Sequence, residues 1–347
     1  MYFGNTSHEG LANVVWEVLA NSLDQVLSGK ATQIDVTVHG DGSLTVADDG
    51  EGFDTAAGAD GTTALERAFT TLRDDPTADG HAPHVHLTRG LGLGPVSAVC
   101  DRVEVEVHRG SSRARQTFAR GRALGPLVIE PADTATASGT AIRLHPDPEI
   151  FPAVTWDSRA LDRRLVEIGS LWPALHCTFA QEVTDLRPRS SLTALLAREA
   201  AAHRGLRPAH PPILLDRTDG AMSARLALQW LQARWPGAEQ LPAPIVASWC
   251  NFLRLEAAGG SHVDGLLSGL IDVFDTTSAH LAELGAGLIV VIDVKELDPQ
   301  YTGPTRGRLD SPAMRAFVRS TVVRQLPDRL RQHPELDTEL RARLAPP

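Results

Sequence analysis

Hydrophobic residues recur at spacings of three and four near the start of the chain, from about Gly10 to Ser28. This spacing predicts an amphipathic helix with one buried stripe. Thr6 and Glu9 fit a capping box at its start, and Gly29 stands where a C-terminal stop belongs. We therefore expect the chain to open with a helix that buries one face.

Alternating hydrophobic and polar residues follow, and this pattern predicts strands. Segments 33–39 and 43–47 are separated by Gly-Asp-Gly, which favours a hairpin. Residues 54–90 are rich in Gly, Ala, Thr, Asp and His around one helical stretch at 63–72, a composition more typical of a mobile lid than of a core element. Further elements are predicted as strands at 103–108, 115–118, 127–130 and 140–144, and as a helix at 158–171.

The second half of the chain begins a new pattern after an Ala-rich helical segment at 191–203 and a Pro-rich connector at 207–212. These features predict two domains, residues 1–203 and 204–347. The elements predicted in the second domain are strands at 222–230, 245–255 and 287–294, an apolar helix at 263–284, and terminal helices at about 311–325 and 328–344.

Composition narrows the class of protein. A chain of 347 residues suits two domains, and 43 acidic against 33 basic residues give a net charge of −10. This balance argues against a dedicated nucleic-acid coat but leaves local DNA contact by arginines open. No apolar run reaches the length of a membrane span, so we expect a soluble cytoplasmic protein. Cys100, Cys177 and Cys250 are far apart, which favours buried thiols over disulfides or a zinc site.

The first helix carries a polar triplet, Glu17, Asn21 and Asp24, at spacings that place the three side chains on one face. A carboxylate held near a bound phosphate can orient or deprotonate a water molecule, and an amide oxygen can ligate Mg²⁺. A solvated polar face is the alternative explanation of this triplet.

Two glycine-containing motifs add candidate binding chemistry. Residues 48–52, Asp-Asp-Gly-Glu-Gly, end a predicted strand, where an aspartate can accept a hydrogen bond from an exocyclic amine and glycines let the backbone approach a planar ring. A simple acidic turn is the alternative. Residues 90–94, Gly-Leu-Gly-Leu-Gly, precede a segment that can open a helix, so their N–H groups can face phosphate oxygens. A dinucleotide fingerprint is disfavoured, because no tight strand-turn-helix of the proper spacing precedes them.

These three elements in this order, with MYFGNT at 1–6 and SGTAIRLHPDPEIF at 138–151, resemble the GHKL (Bergerat-fold) ATPases. Within that superfamily the match is to the ATPase region of the type IIA topoisomerase B subunits, gyrase B and topoisomerase IV B. It continues through segments that resemble the transducer domain, at 259–265, 288–303 and 309–315. The resemblance implies an α+β fold: a Bergerat-fold α/β sandwich, with a mixed sheet and helices on one face, followed by a ribosomal-S5-like α/β transducer domain.

The resemblance also implies a role for each matching residue. Glu17 matches the general base that activates water, and Asn21 matches the Mg²⁺ ligand. Asp48 matches the aspartate that recognises the adenine amine. The other matches are Gly52 beside the adenine ring, Gly90, Gly92 and Gly94 in the loop that holds the phosphates, Thr140 in the water network around adenine, and Arg115 at the mouth of the pocket.

Several positions depart from the family. The helix motif has Ala20 where the family has an aspartate. A family Glu–Arg salt bridge is replaced by Gln25 and Glu51, so we expect Gln25 to donate a hydrogen bond to Glu51. The lid lacks the family lysine and histidine. It carries His81, His84 and His86 instead, which are more typical of exposed loop residues than of a zinc site.

The transducer departs at the loop that, in the family, reads Gln-Thr-Lys and contacts the γ-phosphate. Here it reads Pro304-Thr305-Arg306. Arginine keeps the positive charge but presents a planar fork in place of a compact ammonium. The chain's only lysines, Lys30 and Lys295, align with a helix-end loop and a strand end. We therefore hypothesise that Arg306 is the γ-phosphate sensor and that hydrolysis is slower than in a gyrase.

The sequence thus predicts an Mg²⁺-dependent ATP-binding protein and ATPase of the type IIA topoisomerase B-subunit family. One alternative is a nucleotide-gated dimerisation or interaction module with little turnover, and another is a phosphoryl or adenylyl transferase acting on a small molecule. The expected partners are a second copy in an ATP-dependent homodimer and a topoisomerase-A-like or other protein, without a membrane. Relative to the family, we expect the chain to lack the N-terminal arm and the Toprim and cleavage domain, and so to pass no DNA by itself.

Overall fold

The computed structural model describes residues 3–72, 92–132, 137–152, 155–181, 191–203, 205–234, 240–255, 259–303 and 306–344. The chain separates into two compact units, Met1–Ser190 and Ser191–Pro347. Each unit has its own sheet and its own buried core.

The first unit packs helices on a mixed sheet. Its described helices are α1 (His8–Leu27), α2 (Ala64–Thr70), α3 (Leu93–Ala98) and α4 (Ser158–Leu171). Its described strands are β1 (Gln33–Val38), β2 (Leu44–Asp48), β3 (Cys100–Arg109), β4 (Ser112–Ala119), β5 (Arg122–Ala123), β6 (Val128–Pro131), β7 (Gly139–Pro146) and β8 (His176–Gln181). The sheet order is β5-β4-β3-β7-β2-β1-β8, with β6 beside β4. Only the β1–β8 pairing is parallel among these described strands.

Alternation along the strands decides which face of this sheet is buried. Every second residue is apolar and faces the core, as Ile34 and Val36 do in β1 and Val103, Val105 and Val107 do in β3. Helix α1 packs on β2 and β7 through its buried apolar stripe. Burying each such side chain stabilises the fold by about 1.5–3 kcal/mol. The mixed sheet with helices on one face confirms the architecture that the resemblance implies.

The predicted elements of the first unit form with small shifts. Helix α1 begins one residue later than the capping box suggests, because Ser7, and not Thr6, accepts a hydrogen bond from the backbone N–H of Glu9. The 33–47 hairpin is confirmed as β1 and β2. The sequence analysis missed β8, although Cys177 and Phe179 alternate with more exposed neighbours.

The second unit has a smaller sheet between helices. Its described helices are α5 (Leu192–Ala201), α6 (Ser261–Phe274), α7 (Leu281–Gly285), α8 (Pro312–Arg331) and α9 (Pro334–Ala342). Its described strands are β9 (Leu206–Pro208), β10 (Ile213–Asp219), β11 (Met222–Ala233), β12 (Ile245–Cys250), β13 (Leu253–Arg254), β14 (Leu288–Lys295), β15 (Tyr301–Thr302) and β16 (Arg308–Leu309). The sheet order is β10-β11-β14-β12-β13, with β9 beside β11, and β15 and β16 pair separately.

Strand β14 is buried along its whole length because helices cover both faces. Val290 and Ile292 face the cluster that includes α6 and α8. These two helices approach closely at Gly265, where a Cβ atom would lie 2.5 Å from the carbonyl oxygen of Arg315. Helix α5, which the sequence pattern assigns to the first domain, also packs on strands β11 and β14. The compact units therefore divide at Ser191, before the boundary expected from the Pro-rich connector.

Three predicted elements of the second unit have different ends. The strand predicted at 245–255 is interrupted by Asn251 and Phe252, whose φ angles are 45° and 68°. The helix predicted at 263–284 ends at Phe274, and the two terminal helices divide after Arg331 instead of near Gln325. Helix α8 continues through Pro327 because buried Leu326 and Leu330 hold the turns on either side.

Two sequence-based expectations concern cysteines and membranes. Cys100, Cys177 and Cys250 are free and buried, which confirms the prediction, and burial raises the pKa of all three thiols. In the part of the chain that the structure describes, no helix is both long enough and apolar enough to cross a membrane.

Candidate functional site

Asp48 ends strand β2, directly opposite Thr140 of β7 in the antiparallel register. One carboxylate oxygen of Asp48, Oδ1, accepts a hydrogen bond from the backbone nitrogen of Gly50 at 3.0 Å. The other, Oδ2, accepts one from the Ser22 hydroxyl of α1 at 2.7 Å. Burial raises the pKa of Asp48, and these hydrogen bonds oppose that shift by stabilising the ionised form. The carboxylate is therefore fixed in orientation between helix and sheet.

Glycines bring the backbone after Asp48 against the neighbouring strands. Gly52 has a φ of +75°, and a Cβ atom there would lie 2.6 Å from Cγ1 of Val107 in β3. A Cβ atom at Gly139, the first residue of β7, would lie 2.2 Å from the carbonyl oxygen of Asp48. Neither position has room for a side chain. The 48–52 turn thus forms a tight surface of main chain at the ends of β2, β3 and β7.

Thr140 is 5% exposed and stands between two strands in the register, opposite Asp48 of β2 and Val107 of β3. Its side of the sheet is the one that α1 covers, since Ile142 two residues later is buried in the core. The structure therefore brings together Asp48, Gly52 and Thr140, three of the residues that the sequence analysis selected.

Glu17 of α1 is 3% exposed, so a solvated polar face does not describe it. Its carboxylate oxygen Oε2 accepts a hydrogen bond from the backbone nitrogen of Gly92 at 3.2 Å. Asn21 and Asp24, one and two turns further along α1, are half-buried. A carboxylate with a backbone amide donor and an amide side chain thus share the same end of the helix face.

Gly92 and Gly94 belong to the segment that leads into α3. A Cβ atom at Gly94 would lie 2.2 Å from the carbonyl oxygen of Thr71, so this position also requires glycine. Gly90 lies outside the described residues, as do His81, His84 and His86. The predicted phosphate-binding role therefore rests, within the described chain, on Gly92 and Gly94.

The predicted hydrogen bond from Gln25 to Glu51 is wrong in direction. The backbone nitrogen of Glu51 donates to Oε1 of Gln25 at 3.3 Å, and the Glu51 carboxylate lies 2.7 Å from Nζ of Lys30. Lys30 follows α1, close enough in space to take the carboxylate that the sequence analysis assigned to Gln25. Because both side chains are about half exposed, this ion pair contributes about 1 kcal/mol or less.

Arg115 is not brought to this site. It lies in β4 opposite Glu106, on the outward face of the sheet, whereas Asp48 and Thr140 face α1. Its Nε lies 3.1 Å from the carboxylate of Glu106, and its Nη1 lies 3.8 Å from that of Glu130. The strand alternation sets this orientation, because the adjacent Ala114 is the inward residue.

Arg306 belongs to the second unit, between the short strands β15 and β16. Its φ is +54°, and its backbone nitrogen donates to the carbonyl oxygen of Gly303 at 3.4 Å. Pro304 and Thr305, which precede it, are outside the described residues. Arg306 therefore sits at a hairpin turn, and its predicted contact with phosphate stays a prediction.

The donor set restricts how a metal ion can be held. Within the described ranges, no cluster of three or more His, Cys, Asp or Glu side chains has the geometry of a metal site. Mg²⁺ typically uses one or two protein oxygens and completes its coordination with water and substrate phosphates. The Asn21 amide beside the phosphate-facing glycines fits this mode of binding and not a site built from protein side chains alone.

Sequence reasoning missed Ser22 and Lys30. Ser22 directly follows Asn21, and its position on α1 turns it toward the sheet and away from the polar triplet. The available signal was a polar residue within the buried stripe of the helix. Lys30 gave no such signal, because its contact with Glu51 depends on how the loop after α1 folds back.

Two family models match the chain in succession. The model described as histidine kinase-, DNA gyrase B-, and HSP90-like ATPase matches residues 6–150. The model described as DNA gyrase B matches residues 209–344. Together they cover most of both units and follow each other in the order that the motifs predict.

Relatives of the whole chain carry one description, that of DNA gyrase B. The mitochondrial gyrase B protein of Arabidopsis thaliana is 27% identical over 363 residues, which span 97% of this chain and 48% of the relative. The gyrase B protein of Thermotoga maritima is also 27% identical, over 97% of this chain and 55% of the relative. The chain thus spans about half the length of these relatives.

Solved structures share the fold. The 43K ATPase domain of Thermus thermophilus gyrase B, crystallised with an aminocoumarin, superposes with a TM-score of 0.79 at 24% identity, covering 99% of this chain and 90% of that one. The topoisomerase IV ATP-binding domain of Francisella tularensis, crystallised with a small-molecule inhibitor, gives 0.80 at 23% identity, covering 99% and 92%. At these identities the superpositions establish the fold.

Proposed function

Because the chain belongs to the GHKL ATPases and carries the ATPase and transducer regions of the type IIA topoisomerase B subunits, we propose that it binds ATP with Mg²⁺ and hydrolyses it. Nucleotide binding is assigned to the first unit. The observation that carries the proposal is the fixed carboxylate of Asp48, held by Ser22 and Gly50 beside Thr140.

Asp48 selects adenine in this proposal. An ionised carboxylate only accepts hydrogen bonds, so it favours a base with an exocyclic amine over one with a carbonyl at that position. Gly52 supports the selection, because its missing side chain leaves a flat main-chain surface against which a base can lie. We therefore expect ATP to bind more tightly than GTP.

Glu17 acts as the general base. Its carboxylate accepts the proton of the attacking water, while hydrogen bonding from Gly92 holds it in place. Burial at 3% exposure keeps it from competing solvent and strengthens its interaction with a positioned water. The charge that develops on the phosphoryl group is stabilised by positioned donors, for which the N–H groups around Gly92 and Gly94 are the candidates.

Asn21 is the protein ligand for Mg²⁺. When bound, the ion neutralises phosphate charge and orients the phosphoryl group for in-line attack. Ala20 removes the acidic side chain that the family places beside Asn21. Asn21 must therefore hold its position without a neighbouring carboxylate, and we expect weaker Mg²⁺ dependence of binding than in the family.

Arg306 is proposed as the γ-phosphate sensor of the second unit. A guanidinium can bind phosphate oxygens in a bidentate manner, so the charge that the family's lysine supplies is retained with different geometry. We further propose an ATP-dependent homodimer in the cytoplasm, with a topoisomerase-A-like or other protein partner. Slow turnover would make the protein act chiefly as a nucleotide-gated module, and the altered sensor favours this second candidate.

The test is direct. ATP and GTP affinities are measured by isothermal titration calorimetry for the wild type and Asp48→Asn, with and without Mg²⁺, and released phosphate is measured in parallel. The proposal predicts preferential ATP binding that Asp48→Asn abolishes, together with Mg²⁺-dependent phosphate release. Binding without phosphate release would favour the gated module, and absence of ATP binding would refute both.

A further inference from the structure

The hairpin that carries Arg306 is rooted in a network of buried polar groups that the functions described above do not use. Its strands are β15 and β16, in which Tyr301 pairs with Leu309 and Thr302 with Arg308. The chain enters the hairpin after Glu296 and leaves it at Ser311. These two residues meet, because the Ser311 hydroxyl donates to Oε1 of Glu296 at 2.5 Å.

Asn251 holds the backbone of Glu296 from the other side. Its amide nitrogen Nδ2 donates to the carbonyl oxygen of Glu296 at 2.8 Å, and its Oδ1 accepts from the backbone nitrogen of Glu296 at 3.0 Å. The backbone nitrogen of Asn251 also donates to the carbonyl oxygen of Val294 at 3.0 Å. The side-chain amide therefore pairs with Glu296 as an adjacent strand would, beyond the end of β14.

Asn251 adopts a costly backbone conformation at this position. Its φ is 45° and that of the next residue, Phe252, is 68°, so two non-glycine residues in succession adopt left-handed backbone. Asparagine tolerates this conformation better than most residues, but phenylalanine does not. Such strain persists only where surrounding contacts over-determine it. Both residues are fully buried, which supplies those contacts.

Ser311 is tied to the start of α6 as well. Its backbone nitrogen donates to the Ser261 hydroxyl at 2.7 Å, and that hydroxyl donates to the carbonyl oxygen of Leu309 at 3.2 Å. The Ser311 hydroxyl also caps α8, since it accepts from the backbone nitrogen of Met314 at 3.1 Å. Both ends of the hairpin are thus joined to α6, α8 and the β12–β13 turn.

We propose that Glu296 is a positioning residue: gripped by Asn251 through its backbone and bonded to Ser311 through its carboxylate, it fixes the root of the hairpin that presents Arg306. This inference rests on the proposed function of Arg306. Truncating Glu296 frees the hairpin without touching its turn. The arginine then samples more orientations, and the entropy of ordering it opposes its contact with phosphate.

The carboxylate of Glu296 is only partly satisfied, which makes its identity informative. Its other oxygen, Oε2, is buried without a hydrogen-bond partner among the described residues. Burial raises the pKa of Glu296, so the neutral amide of glutamine is a close substitute that still accepts from Ser311. Glu296→Gln should therefore preserve positioning, whereas Glu296→Ala should remove it.

The first measurement does not depend on nucleotide. Backbone hydrogen exchange is followed in peptides covering 299–303 and 306–310 of the full chain. Glu296→Ala and Asn251→Gly should accelerate exchange by about tenfold or more, which corresponds to losing a hydrogen bond to a charged or backbone group. Asn251→Gly is suitable because glycine keeps the left-handed backbone and removes only the side chain. Glu296→Gln and the exposed-residue control Glu283→Ala should leave exchange unchanged, and unchanged exchange in Glu296→Ala would overturn the proposal.

The second measurement asks whether positioning acts through Arg306. The ratio of the affinities for a non-hydrolysable ATP analogue and for ADP is determined for Glu296→Ala, Arg306→Ala and the double variant. We expect each single variant to lower the ratio about tenfold and the double variant to lower it no further. An additive double variant would overturn action through Arg306. No change of the ratio in Arg306→Ala would refute the sensor function itself, and the exchange result would then show separately whether Glu296 holds the hairpin.

Discussion

The Glu17 carboxylate accepts a hydrogen bond from the backbone nitrogen of Gly92, with 3.2 Å between Oε2 and the nitrogen. The residue selected as general base and the residue selected for phosphate binding are therefore in direct contact, although they are far apart in the sequence. One donor occupies one of about four lone-pair positions of a carboxylate. The contact orients Glu17 and makes its position depend on the segment that precedes α3.

Asp48 and its neighbour Asp49 separate ligand recognition from stability. Asp49 accepts hydrogen bonds from the backbone nitrogens of Thr32 and Gln33 at 2.7 and 2.8 Å, so its function is structural. We expect Asp49→Asn to lower the free energy of unfolding by about 1–3 kcal/mol without changing ATP affinity. Asp48→Asn should weaken ATP binding about tenfold or more, because a hydrogen bond to a charged acceptor is lost. Calorimetry and chemical unfolding measure both quantities, and equal effects on ATP affinity would contradict the assignment.

Gly52 should tolerate no side chain. Gly52→Ala introduces a left-handed residue and a contact of 2.6 Å with Val107, so we expect a loss of about 2–4 kcal/mol in unfolding free energy and weaker ATP binding. Gly61→Ala is the matched control, because its φ of +79° is similar and no atom lies within 4 Å of the added Cβ. Its cost should be about 1–2 kcal/mol, from backbone strain alone. Thermal or urea unfolding of the two variants tests the difference.

His262 should make the second unit sensitive to acid. It is fully buried, both ring nitrogens are without hydrogen-bond partners among the described residues, and burial, with a smaller contribution from Arg308, lowers its pKa from 6.5 to about 4. Between these values the unfolded chain binds the proton and the folded chain does not, so stability falls as pH decreases from about 6.5 toward 4. The contribution is on the order of 3 kcal/mol.

Unfolding free energies at pH 7 and pH 4.5 measure this dependence. His262→Gln should be less stable at pH 7 but lose less stability on acidification than the wild type. The exposed residue His280 provides the control, and His280→Gln should retain the wild-type pH dependence. An unchanged pH dependence in His262→Gln would show that another group is responsible.

Arg306 should distinguish nucleotides by their γ-phosphate. We expect Arg306→Ala to weaken binding of a non-hydrolysable ATP analogue about tenfold and to leave ADP binding unchanged, since only the analogue carries the γ-phosphate. Arg306→Lys restores the compact ammonium found in the family and should retain analogue binding while raising turnover. Parallel effects on ADP and the analogue would indicate a structural role for Arg306.

The elements with strong periodicity could be predicted from the sequence, and those that depend on tertiary contacts could not. Helix α1 has a continuous apolar stripe, and the β1–β2 hairpin has clear alternation around a turn. The assignment of α5 to the second unit could not be read from its own composition, because it depends on packing against β11 and β14. The break at Asn251 and Phe252 is equally hidden, since left-handed backbone at phenylalanine runs against local preference.

The candidate site shows the same division. Asp48, Gly52 and Thr140 come together because strand ends and antiparallel register place them there, and motif order indicated them in advance. Arg115 was misplaced because its position in a motif does not state which face of the strand it occupies. The partner of Glu51 was missed because the loop that returns Lys30 to it has no periodic signal.

ATP turnover by Glu17→Gln is the most direct test of the central claim that the first unit hydrolyses ATP with Glu17 as general base. Phosphate release is measured under saturating ATP and Mg²⁺, with ATP affinity determined on the same samples. Because general-base catalysis typically contributes about 10²–10⁴-fold, we predict that turnover falls by at least about 100-fold while ATP affinity changes less than about threefold. Turnover that persists in Glu17→Gln at the wild-type rate would contradict the account.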